Sequence, residues 1–171
     1  MKSSSLVQQA ASFAQVAHEG QTRRGGAPYY THVHRVGTRV GELTQDEILT
    51  AAAYLHDTME DCEVSADELD NRFGARVAEL VQELTNNEEL KEQLGKEEYM
   101  VRKLSAMSAE ALIIKLCDTL DNMTETDSRS QAQVYARIQR RLQNNPPAAW
   151  LPIHQELSGR ILTIFAEKFG D

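Results

Sequence analysis

Tyr54-Leu55-His56-Asp57-Thr58-Met59-Glu60-Asp61 decides how the chain is read, because an apolar run ends there in four polar side chains within six residues. The residues leading into it, Ile48 to Leu55, spell a buried helix in which Ala51, Ala52 and Ala53 permit close packing. Carboxylates left unpaired in a core cost several kcal/mol each, and a bound cation is the most direct compensation. Neighbouring side chains at a helix end splay by about 100°. An adjacent His and Asp can therefore share one ion, and they call for further ligands elsewhere. Taken alone, the dipeptide also fits a helix terminus followed by a solvated acidic loop.

The 171 residues suffice for one core-bearing domain and are short for two. With 41% hydrophobic and 26% charged residues, the composition is that of a soluble globular protein. A net charge of −8 argues against nucleic-acid or anionic-membrane binding, while leaving room for a local basic pocket that takes a phosphorylated small molecule. No apolar stretch approaches the roughly 20 residues that span a bilayer. Met1 to Val16 lacks the layout of a secretion signal, which makes the cytoplasm the expected compartment. Cys62 and Cys117 lack CxxC spacing and suggest neither a disulfide framework nor a zinc knuckle.

Helical periodicity runs through the chain, and no strand pattern or internal repeat interrupts it. Ser3 to Ser5 offer an N-cap to a first helix carrying Leu6, Ala10, Phe13, Ala14 and Ala17, which stops at Gly20. The loop Gly20 to Pro28 holds Arg23 and Arg24 between glycines and a proline. A second helix begins near His32 and a third covers Glu47 to His56. Ser65-Ala66-Asp67-Glu68 reads as a capping box that opens a short helix ending at Phe73-Gly74. After the helix of Val77 to Leu84, Asn86 to Lys96 reads as a solvated connection. Helices then follow over Glu97 to Met107, Ala109 to Met123, Gln131 to Leu142 and Leu157 to Phe169. Apolar nearly all round, the Ala109 helix is central. The expected architecture is all-α, a single domain over residues 1–171 with about eight or nine helices.

Further ligands have few candidates. His32 and His34 stand about 200° apart round a helix and cannot both face one ion. Asp118 emerges from the apolar Ile113-Ile114-Lys115-Leu116-Cys117, which repeats the situation of His56-Asp57. Two imidazoles with two carboxylates suit Mn²⁺, Fe²⁺ or Zn²⁺, and spacing does not choose among them.

In order along the chain stand Ala17-His18-Glu19-Gly20-Gln21-Thr22-Arg23-Arg24, Pro28-Tyr29-Tyr30-Thr31-His32, His56-Asp57-Thr58-Met59-Glu60-Asp61, Phe73-Gly74, and Lys115-Leu116-Cys117-Asp118-Thr119-Leu120-Asp121-Asn122-Met123. This series resembles the hydrolase domain of the RelA/SpoT alarmone enzymes, within the HD phosphohydrolase superfamily, and in length the stand-alone small alarmone hydrolases. It covers roughly residues 10 to 125, leaving C-terminal helices over about 131–169 outside it.

The resemblance implies four metal ligands, His32, His56, Asp57 and Asp118, with Mn²⁺ as the usual ion. It makes Glu60 and Asp61 the acidic pair that activates water, and Arg23 and Arg24 the basic pair beside base and ribose. Asn122 and, in a looser alignment, Tyr135 become substrate contacts, with Lys115 or Arg102 as further cations for phosphate. The implied reaction removes the 3′-diphosphate of (p)ppGpp, giving GDP or GTP and pyrophosphate.

Several positions depart from the family pattern. Val33 stands for Pro, Cys117 for Ala, Thr119 for a basic residue, and Asp121 for His or Tyr. Those at 119 and 121 favour an HD phosphatase acting on another nucleotide or NADPH, and a third reading is a catalytically silent nucleotide sensor. The last helix reads as a packing element or a homodimer contact, while Trp150 and His154 carry no chemical signal.

Overall fold

Ala51, Ala52 and Ala53 are completely buried, and the helix that contains them organises the first half of the molecule. The structure, a computed structural model, describes residues 5–170. Its residues gather into two compact units, one up to Thr85 and one from Asn86 onward.

In the first unit, α1 (Leu6–Ala17), α2 (Tyr30–Thr44) and α6 (Ala75–Leu84) all pack on α3 (Glu47–Leu55). The single turn α4 (Thr58–Asp61) follows α3, and α5 (Ala66–Phe73) packs on α6. Ser5 caps α1 in a reciprocal box with Gln8; Ser3 and Ser4 lie outside the described residues. Asp46 starts α3 by accepting from the amides of Ile48 and Leu49. Ser65 accepts from the Glu68 amide at the start of α5. The approach of α2 to α3 is unusually close at Gly37, where an added Cβ would meet the Tyr54 ring at 2.6 Å. Glycine is required there for space rather than for backbone freedom.

The second unit is built on α9 (Ala109–Glu125), buried along most of its length as its sequence predicts. Against it pack α10 (Arg129–Asn144) and α11 (Pro152–Phe169); α8 (Lys96–Ser105) lies on α10, and α7 (Glu88–Leu94) on α8. Exposed ion pairs Arg137–Glu97 at 2.8 Å and Arg141–Glu98 at 2.8 Å join α10 to α8, a modest contribution at the surface.

Among the described residues no helix is long and apolar enough to cross a membrane. The fold is all-α, and among the described residues nine helical segments reach eight residues or more. Two details differ from expectation. Within Asn86–Lys96 a helix forms, because Asn87 caps it through the Leu90 amide and Glu88 and Glu89 favour its first turn. The last helix starts at Pro152, five residues before the apolar stripe, because His154 caps it: its Nδ1 accepts from the Leu151 amide at 2.8 Å.

Candidate functional site

Helix α3 ends at His56, and that ending fixes the chemistry of the residue. His56 Nδ1 donates to the Ala53 carbonyl at 2.7 Å, which satisfies one terminal carbonyl and leaves the lone pair on Nε2. Nε2 stands 3.0 Å from Asp57 Oδ2, and His32 Nε2, from the first turn of α2, lies 3.7 Å from the same oxygen. The two rings meet edge to face at 5.5 Å, with only 4% of His56 and 1% of His32 exposed. An imidazole lone pair and a carboxylate oxygen at 3.0 Å repel unless they share a proton or a metal ion. Ligands about 2.1 Å from one ion stand roughly 3 to 3.5 Å from each other, so this His/Asp cluster fits a divalent ion. His34 faces away and meets the Tyr54 hydroxyl at 3.3 Å through Nδ1.

Glu60 and Asp61 follow on α4, both exposed. Partial burial and the neighbouring Asp57 charge push the Asp61 carboxyl up, against the pull of His18, a Tyr29 hydrogen bond and His56. A raised carboxylate is the better proton acceptor near neutrality. The Gly20–Pro28 loop is a small hairpin: Arg23 N–H donates to the Ala27 carbonyl at 2.8 Å, and Thr22 bridges Pro28. Arg23 lies 5.5 Å from the centre of the Tyr29 ring, and Arg24 is exposed on the loop.

In the second unit Asp118 is 5% exposed on α9. Lys115 Nζ donates to its Oδ2 at 2.7 Å and Asn122 Nδ2 to its Oδ1 at 2.9 Å, along one helix face. Lys115, Asp118, Asn122 and Tyr135 line one cavity of about 160 Å³. Arg102 pairs instead with Glu98 on the surface.

Residues not singled out by sequence reasoning join these groups. Lys91 and Lys96 also line the cavity, Lys96 Nζ lying 4.9 Å from the Tyr135 ring centre. Gln139 lines it too, with its buried Oε1 lacking a hydrogen-bond partner among the described residues. In the first unit the Tyr29 hydroxyl donates to Asp57 Oδ2 at 2.7 Å. The run of acids in Asn86 to Lys96 drew attention from its lysines; Tyr29 lay in plain view beside His32.

A family model described as HD domain matches residues 10–144. Among curated relatives, the guanosine-3′,5′-bis(diphosphate) 3′-pyrophosphohydrolase of Aquifex aeolicus is 38% identical over 68% of this chain and 17% of that protein. The Vibrio cholerae protein of the same name is 35% identical over 75% of this chain and 20% of its own length. The chain thus spans about a fifth of the length of these relatives. A solved structure described as a metazoan ortholog of SpoT that hydrolyzes ppGpp is 26% identical, with a TM-score of 0.65 over 96% of this chain and 88% of that one.

Proposed function

The chain belongs to the HD-domain family, and from that premise we propose that it removes the 3′-diphosphate of (p)ppGpp, giving GDP or GTP and pyrophosphate. The observation that carries the reading is the convergence of two imidazole Nε2 atoms on Asp57 Oδ2, with Glu60 and Asp61 on the next turn. The names of the curated relatives and of the metazoan ortholog support the choice of substrate. We assign the ion to His32, His56, Asp57 and Asp118, the last on its sequence match, and take Mn²⁺ as the ion. One hydrolase domain over the whole chain is part of the same proposal.

When bound, such an ion neutralises phosphoryl charge and acidifies a coordinated water. Asp61, its carboxyl already raised, accepts the proton of the attacking water, and Glu60 orients that water. Arg23 and Arg24 hold the nucleoside, and Lys115, Asn122 and Tyr135 hold phosphate oxygens in the second unit. A specific observation supports a second reading, an HD phosphatase on another nucleotide or NADPH. Thr119 lines the cavity where a basic residue is common, and its hydroxyl is already donated to the Lys115 carbonyl at 2.9 Å.

Product analysis with Mn²⁺ and a panel of ppGpp, pppGpp and NADPH tests the choice. Pyrophosphate and GDP from ppGpp, abolished by chelator, is the expected result. Orthophosphate released from another nucleotide alone would replace the first reading with the second. Glu60→Gln is expected to retain Mn²⁺ while lowering kcat about 10²-fold or more; a near wild-type rate would remove Glu60 from the chemistry.

A further inference from the structure

Tyr29 touches four of the residues that the proposed chemistry uses in the first unit: His32, Asp57, Asp61 and Arg23. Its hydroxyl donates to Asp57 Oδ2 at 2.7 Å, and the Asp61 carboxylate is a second, competing acceptor within its reach. Its ring meets His32 edge to face at 5.7 Å, stacks on His18 at 4.9 Å, and lies under the Arg23 guanidinium at 5.5 Å. His18 is itself held, its Nδ1 donating to Gln21 Oε1 at 2.8 Å, and Gln21 Nε2 donates to the Asp61 carbonyl at 2.8 Å. The phenol is therefore clamped between the arginine loop and the acidic turn.

We propose that Tyr29 is a two-ended positioning residue: its hydroxyl fixes the Asp57 oxygen on which both imidazoles converge, and its ring face seats Arg23. A phenol has one proton, and here it goes to the carboxylate oxygen shared by His32 and His56. That oxygen keeps a second lone pair for a cation, while the hydrogen bond stops the carboxylate from rotating away. Hydrogen bonds of this kind to metal-ligating carboxylates are worth about 10- to 100-fold in metal affinity. At the other end, the electron-rich ring face attracts the guanidinium, which orients the arginine before nucleotide arrives. Ion binding and nucleotide binding are thus coupled through one side chain. The hydroxyl half stands on the His/Asp cluster alone; the ring half rests on the hydrolase reading.

Tyr29→Phe keeps the ring and removes only the hydroxyl, whereas Tyr29→Leu removes both. Titrating Mn²⁺ into metal-stripped protein, Tyr29→Phe is expected to bind about 10- to 100-fold more weakly with KM for ppGpp little changed. Tyr29→Leu is expected to show the same loss together with a KM raised about threefold or more. A purely structural role would lower the melting temperature of both metal-free variants without separating metal affinity from KM. Wild-type Mn²⁺ affinity in Tyr29→Phe overturns the hydroxyl half, and an unchanged KM in Tyr29→Leu overturns the ring half. Should the wild-type protein bind Mn²⁺ yet leave ppGpp intact, the ring half falls with the hydrolase reading, and the titration still decides the hydroxyl half.

Discussion

His56 and His154 are both buried, and each gives one ring N–H to a backbone carbonyl, but their other nitrogens face opposite kinds of partner. His154 Nε2 donates to the Ala109 carbonyl at 2.9 Å while Nδ1 accepts the Leu151 amide, so backbone completes the ring on both sides. His56 gives Nδ1–H to Ala53, and its Nε2 faces the oxygen of Asp57. Acceptor against donor closes a structural contact; acceptor against acceptor asks for a cation. Burial is nearly equal, at 0% and 4% exposure, and therefore does not separate a structural histidine from a chemical one.

The largest expected effect breaks the chemical side. His56→Ala should lose Mn²⁺ retention and turnover together in a protein that still folds, read by metal content and product assay. An active variant without metal would end the comparison. His154→Ala should do the reverse, keeping metal while losing the ring's hydrogen bonds to the Leu151 amide and the Ala109 carbonyl. Each is worth about 0.5–1.5 kcal/mol net, so denaturant unfolding should show a loss of about 1–3 kcal/mol. Metal loss in this variant would blur the distinction.

A smaller effect sharpens it through pH. Burial holds the His154 imidazole below its ordinary value, against the opposing pull of the Ala109 carbonyl. The unfolded chain takes up this proton at about pH 6.5, before the folded protein does. The unfolded state thus binds more protons in that window, and stability falls as pH drops below it while remaining complete above. Unfolding free energies at pH 7.5 and 5.5 should differ more in wild type than in His154→Ala; equal differences would remove His154 as the source. Least affected should be His34→Ala. That side chain is exposed and meets only tyrosines in its ring contacts, so stability should stay within about 0.5 kcal/mol. Metal affinity should not move.

These contrasts explain what could be read in the amino-acid string. Helix periodicity, the polar break at His56-Asp57 and the isolated carboxylate Asp118 are local patterns, and the structure places them on α3 and α9 as read. Whether His32 or His34 turns inward required more than spacing, because both lie in the first turns of one helix. The capping role of His154 depends on Ala109, 45 residues away, and the reach of Tyr29 to Asp57 spans 28. Such partners are set by packing and leave no periodic trace. In α7 the polar surface was legible, since none of its residues is buried, but its helical state came from the Asn87 cap and the acidic first turn.

Gly37 touches none of these groups, yet it sets how near the helix carrying His32 lies to the helix that ends in His56. Tyr54, whose ring fills the space a methyl would need, also reaches His34 and Thr38 with its hydroxyl across the same helix pair. The separation of the two imidazoles is thus inherited from an atom that is missing one turn beyond them. A mutational screen confined to the polar residues would find the ligands and overlook the spacer that keeps them a working distance apart.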